Sequence, residues 1–133
     1  DKTLNFSFSG LKTAIVREWK KHETHSKELI AAMALEVQEA ITDVLVAKTL
    51  SAARQFNARS ILLSGGVAAN IRLRKKFNLS LDTCHLTLDR FFVPPVNLCT
   101  DNAAYIASYA FFRGKPVDWH DITALPDLSV ENP

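Results

Sequence analysis

The chain opens on an alternation of polar and aromatic positions, Asn5-Phe6-Ser7-Phe8-Ser9, which Gly10 ends. A period of two is that of a short, half-buried strand. From Leu11 to about Lys21 the period changes: Leu11, Ile15 and Trp19 stand four apart and mark one face of a helix. Lys20, Lys21 and His22 suit its C-terminal end, where positive charge complements the helix dipole. Ser26 is placed to cap the next element, with Glu28 in its first turn. Ile30, Met33, Val37, Ile41 and Val44 follow at spacings of 3, 4, 4 and 3. They predict a long, Ala-rich amphipathic helix that reaches about Asn57, with this stripe as its apolar face.

Ser60-Ile61-Leu62-Leu63 is an unbroken apolar run, as in a strand covered on both faces. It leads directly into Ser64-Gly65-Gly66-Val67-Ala68-Ala69-Asn70, after which a helix is expected to about Phe77, with Asn70 one turn inside it. Asn78 to Arg90 has no clear period, although His85-Leu86-Thr87-Leu88 fits extended chain. Phe91-Phe92-Val93 predicts a second apolar strand, ended by Pro94-Pro95. A loop from Val96 to Asp101 follows, then a helix that starts at Ala103 and ends near Gly114. The alternation of helix, strand and loop is that of a parallel α/β layer. Residues 1–114 therefore read as one α/β lobe, and 115–133, punctuated by Pro116, Pro126 and Pro133, as an extended or disordered tail. Two or three strands make a thin sheet, so this lobe is expected to lean on partner strands of something larger.

Composition narrows the classes only a little. The chain has 133 residues, 47% hydrophobic and 23% charged, which suits a soluble globular domain. No apolar run approaches the ~20 residues of a membrane span. Asp1-Lys2-Thr3-Leu4-Asn5 carries neither an initiator Met nor a signal-peptide pattern, so an excised piece or a processed product is expected. Sixteen basic against fourteen acidic residues give a net charge of +2, well short of a domain built to grip a nucleic-acid backbone. Cys84 and Cys99, fifteen positions apart without CxxC spacing, read as free, packed thiols in a reducing, cytoplasmic compartment.

Two loops carry candidate chemistry. In Ser64-Gly65-Gly66 the glycines let the backbone turn sharply and let a ligand approach the main chain, and the helix start beyond offers N–H groups to a phosphate or carboxylate. Asn70 could hydrogen-bond a ligand hydroxyl or phosphate. A tight turn that binds nothing is the plainer reading of two glycines at such a junction. In Cys99-Thr100-Asp101-Asn102, Asp101 could ligate a metal, or it could simply cap the helix at Ala103, as Thr100 could. Both loops follow strands, and ligands in parallel sheets sit outside the carboxyl ends of the strands, so the two should open on one edge.

Other motifs offer less. His22-Glu23-Thr24-His25 spaces its histidines three apart, unlike the zincin helix motif, and reads as a solvated turn. Arg72, Arg74, Lys75 and Lys76 read as a solvated helix face, with a phosphate-backbone contact as the sharper alternative.

At three of these blocks the sequence resembles the TsaD family (also Gcp or YgjD, once described as O-sialoglycoprotein endopeptidase). They are Phe6-Ser7-Phe8-Ser9-Gly10-Leu11-Lys12-Thr13, then Leu63 to Asn70 with Leu73-Arg74, then Val93-Pro94-Pro95 through Cys99-Thr100-Asp101-Asn102-Ala103-Ala104. The order matches the family's C-terminal motifs, and the Cys-Thr-Asp-Asn form is similar to its bacterial and organellar branch. The resemblance implies the C-terminal lobe of an actin/Hsp70-like (ASKHA) two-lobed fold, with a short, mostly parallel sheet packed with helices. It implies a tRNA N6-adenosine threonylcarbamoyltransferase, which transfers threonylcarbamoyl from threonylcarbamoyl-AMP to the adenosine beside the anticodon in tRNAs reading ANN codons.

By the same resemblance Gly65, Gly66 and Asn70 contact the adenylate, and Asp101 is one ligand of a single divalent metal, iron or zinc. The family's His-x-x-x-His metal motif is not in this chain, and His22 and His25 do not replace it. Metal and activity are therefore expected of the full-length protein and not of this part alone, and no general base is named. The implied partners are tRNA, a TsaB-like paralogue and a TsaE-like ATPase, with no membrane. Two alternatives are a non-catalytic ASKHA-fold assembly partner of the same tRNA-modification complex, which would need neither the glycine loop nor Asp101, and a sugar-kinase-like phosphotransferase.

Overall fold

The computed structural model describes residues 3–83, 90–100 and 103–123. In chain order these form α1 (Ser9–Trp19), α2 (Lys27–Gln55), β1 (Ser60–Leu62), α3 (Ile71–Thr83), β2 (Arg90–Phe92) and α4 (Ala103–Arg113). Short 3-10 turns occupy Gly66–Ala69, Val96–Leu98 and Trp119–Asp121. The extended reading of His85-Leu86-Thr87-Leu88 lies outside the described residues. The chain divides into two compact units, Asp1–Asp101 and Asn102–Pro133.

The first unit is the α/β layer that the pattern predicts. β1 and β2 pair side by side and parallel, with Ser60 opposite Arg90, Ile61 opposite Phe91 and Leu62 opposite Phe92. The core lies on one face of this sheet: Val46, Leu50 and Ala53 from α2, Ile61 from β1, and Leu73 and Phe77 from α3. Phe77 stacks on Phe91 with ring centroids 5.4 Å apart. Leu62 is 74% exposed and Phe92 is exposed beside it, so β1 is covered on one side and not on two.

Three further expectations change. No strand forms over Asn5–Ser9; helix α1 begins at Ser9, with Lys12 N–H donating to Phe8 O at 3.0 Å, and Gly10 lies inside its first turn. Alternation specifies a strand only where a neighbouring strand completes the ladder, and here the helix wins. The segment is instead tied down by Lys48 Nζ, which donates to Asn5 O. In α2 the predicted cap is in place, with Leu29 N–H donating to Ser26 Oγ at 3.2 Å. The buried stripe, however, is Thr42, Val46, Leu50 and Ala53, and not Ile30 to Val44. So many small and apolar residues ring this helix that it carries two apolar stripes, and packing against α3 and the sheet selects the later one. Thr42 is accommodated by donating its hydroxyl back to Gln38 O and Glu39 O. Finally, α3 runs to Thr83, beyond Phe77.

Ion pairs reinforce the α2–α3 contact. Arg72 grips Glu39 with two parallel bonds (Nε–Oε1 2.5 Å, Nη2–Oε2 2.9 Å), and Lys76 bridges Glu39 and Asp43. The hydrogen bonds from Arg72, then Lys76, lower the Glu39 carboxyl from 4.5 to about 2. A carboxyl whose folded value is depressed stabilises the fold above its unfolded value and loses that contribution as acid protonates it. Thermal stability should therefore drop between about pH 4.5 and about pH 2, and Glu39→Gln should flatten that drop in melting curves taken across the range.

In the second unit, α4 buries no residue among those described, and Asp118 caps the turn at Trp119 by accepting from His120 N–H at 2.9 Å.

Candidate functional site

The two loops singled out by sequence follow β1 and β2, and because those strands are adjacent and parallel both loops leave the same edge of the sheet. In the first, Gly65 adopts φ 81° and ψ 177°, backbone open essentially to glycine alone. That reversal sends the chain into the 3-10 turn Gly66–Ala69, closed by Ala68 N–H to Gly65 O and Asn70 N–H to Val67 O, both 3.0 Å. The opening N–H groups of such a turn have no partner within it. A Cβ placed on Gly66 would meet no heavy atom of the described residues within 4 Å, so a small group has room at that point of the loop.

Asn70 is not a turn inside a helix. It stands between the 3-10 turn and α3, in extended backbone, and serves as the cap of α3: its Oδ1 accepts from Leu73 N–H at 3.0 Å. Its Nδ2 donates to Gln38 Oε1 on α2 at 3.1 Å. The carboxamide is thus held from two sides and half-buried. A carboxamide has two N–H groups and two strong acceptor lone pairs; one of each is engaged here, which leaves one of each for a ligand. A shallow depression of about 490 Å³ borders the pair, lined by Gln38, Ala69, Ile71, Arg72 and Lys75; neither Gly65 nor Gly66 lines it.

The second loop turns through Val96–Leu98 and buries Cys99, a free thiol only 3% exposed. Asp101, the predicted metal ligand, lies outside the described residues. Among the described residues no group of three or more His, Cys, Asp or Glu could hold a metal ion. The soft donor two positions before Asp101 in sequence, Cys99 Sγ, faces the Arg74 guanidinium at 3.0 Å, a positively charged neighbour unsuited to a cation site. The described residues alone therefore do not make a metal centre.

Sequence reasoning misplaced Arg74. In place of a solvated face, its half-buried guanidinium reaches across both loops: Nε donates to Ala68 O at 2.5 Å, and Nη2 to Pro94 O at 2.6 Å as well as to Cys99 Sγ. The signal available in sequence was position: Arg74 falls one turn after Asn70, so on the helix its side chain points back over the loop. His25 behaves as expected of a turn residue; its ring stacks on Trp19 at 3.8 Å and its Nε2 donates to Trp19 O at 3.2 Å, closing the junction of α1 and α2. No described helix is long and apolar enough to cross a membrane.

With this geometry in hand, comparison with known proteins gives a consistent result. A family model described as "TsaD: tRNA N6-adenosine threonylcarbamoyltransferase" matches residues 1–108. A protein of Dehalococcoides mccartyi named tRNA N6-adenosine threonylcarbamoyltransferase is 46% identical over 129 residues, 95% of this chain and 36% of the relative. Relatives of the same name from Persephonella marina (46% over 111 residues, 84% of this chain and 30% of theirs) and Moorella thermoacetica (41% over 133 residues, 98% and 38%) agree. The chain spans about a third of the length of these curated relatives, 30% to 38%.

Proposed function

Because the chain belongs to the TsaD family, the tRNA N6-adenosine threonylcarbamoyltransferases, we propose that it is the C-terminal part of such an enzyme. In this reading it forms part of the C-terminal lobe of an ASKHA two-lobed fold and works in the cytoplasm. The whole protein takes threonylcarbamoyl-AMP and tRNA, moves the threonylcarbamoyl group to N6 of the adenosine beside the anticodon, and releases AMP. A TsaB-like paralogue and a TsaE-like ATPase are its partners. This part alone is inactive, because it does not supply the whole site.

The observation that supports the reading most is the convergence of two polar loops on one edge of a parallel sheet, the place where ligands sit in such sheets. Gly65 and Gly66 present backbone N–H dipoles to the phosphate, in a loop whose shape is set before the ligand arrives. Asn70, already fixed by Gln38 and the Leu73 amide, directs its remaining N–H and lone pair at the adenylate without first losing rotamer freedom. Asp101 supplies one ligand of a divalent metal, iron or zinc, whose other ligands lie outside this chain. Such an ion, when bound, polarises phosphate or carbamoyl oxygens.

The test is nucleoside analysis of tRNA after reaction with the full-length protein. Asp101→Ala should lower N6 modification at least tenfold. Asn70→Ser, which retains a hydroxyl able to cap α3 but removes the carboxamide, should do the same while leaving the melting temperature within a few degrees of the parent. Wild-type rates in both variants would end these assignments.

A further inference from the structure

Arg72 and Lys76 turn toward α2, where Glu39 and Asp43 receive them. Arg74 turns the other way and binds main-chain and side-chain acceptors that lie 6, 20 and 25 positions from it. One acceptor, the carbonyl of fully buried Ala68, belongs to the 3-10 turn of the glycine loop. The other two, Pro94 O and Cys99 Sγ, bracket the loop that follows β2. Cys99 Sγ also lies 3.4 Å from Pro95 O, so the thiol is packed into the same knot. A guanidinium can do this because its donors lie in one plane and diverge at fixed angles; the single ammonium of lysine cannot reach acceptors on both sides in that geometry. The residue therefore does more than place a positive charge beside the loops. It is bonded to both of them at once.

We propose that Arg74 is a positioning residue, which touches no ligand itself but locks the glycine loop to the Pro94–Cys99 loop so that the two halves of the site keep one spacing. This rests on the reading of the site given above: the first loop would face the adenylate phosphate, and the second leads to the proposed metal ligand. Small displacements of positioned groups lower rates steeply, even when the groups themselves are untouched.

The test compares the full-length protein with its Arg74→Lys and Arg74→Ala variants by three measurements: steady-state transfer to tRNA, thermal unfolding, and the rate at which a maleimide labels Cys99, resolved by peptide mass. Arg74→Lys should lower kcat at least tenfold with KM for tRNA unchanged, and should label Cys99 at least tenfold faster, while the melting temperature stays within a few degrees. Arg74→Ala should show the same pattern more strongly. A kcat within twofold of the parent, or unchanged labelling in both variants, overturns the proposal. So does a parallel fall of melting temperature, kcat and protection in Arg74→Lys, which would make Arg74 a general structural staple. If the parent protein transfers nothing to tRNA, the reading of the site falls by itself, and the labelling arm still decides whether Arg74 joins the loops.

Discussion

Alanine in place of Phe77 should destabilise the chain by about 3–5 kcal/mol, the usual loss when a fully buried aromatic ring is removed and its space only partly refills. Phe77 is 2% exposed, belongs to the core cluster that includes residues of α2 and β1, and stacks on the ring of Phe91 on β2. With Leu73 it is one of the two buried side chains of α3 in the core cluster shared with α2 and β1. A domain has roughly 5–15 kcal/mol of stability to lose, so a loss of this size removes a large fraction of it. Urea denaturation followed by far-UV circular dichroism measures this directly, and a loss under about 1.5 kcal/mol would show that the cluster can close over the gap. The consequence extends beyond stability, because α3 also carries Arg74 and is capped by Asn70; weakening its seat loosens both.

The second large effect separates two neighbouring glycines. Gly65 lies at φ 81°, and any side chain there is strained; alanine should cost about 1–3 kcal/mol of stability through the backbone alone. Gly66 has no positive φ, and a methyl group on it meets no heavy atom within 4 Å. Gly66→Ala is thus cheap for the fold and obstructive only to something that approaches the loop from outside. In the full-length protein it should raise KM for threonylcarbamoyl-AMP at least tenfold, about 1.4 kcal/mol of lost binding, with an unchanged melting temperature. Gly65→Ala should lower the melting temperature and impair turnover together. An unaltered KM in Gly66→Ala would mean that the ligand does not come near this turn.

Much of this architecture is legible from local signals that need no tertiary context. Ser26 followed by Glu28 announces a helix start, and the structure caps it there. The apolar runs at Ser60–Leu63 and Phe91–Val93 announce strands, and they pair as parallel neighbours. Where several readings are locally satisfactory, the sequence is silent. Phe6 and Phe8 alternate as a strand would, yet have no partner strand among the described residues, and the chain joins a helix instead. Helix α2 has apolar residues enough for two stripes, so periodicity marks a helix without saying which side is covered. Asn70 looks like a residue inside a helix because a 3-10 turn and an α-helix start are indistinguishable from composition. Arg74 looks solvated because its acceptors are main-chain carbonyls and a sulfur, which leave no complementary charge in the sequence to betray them.

Helix α2 also implies an uneven distribution of local order. Its 29 residues extend ~43 Å, but its buried side chains begin only at Thr42. Amides beyond that point lie in the stretch whose side chains join the core cluster with Phe77 and should exchange with solvent most slowly. Those nearer Ser26 are held by little besides the cap and their own hydrogen bonds, and they can fray without disturbing the core. The boundary falls beside Gln38, the residue that steadies the Asn70 carboxamide. One end of the support beneath the glycine loop is therefore as firm as the whole fold, and the other only as firm as a single helix.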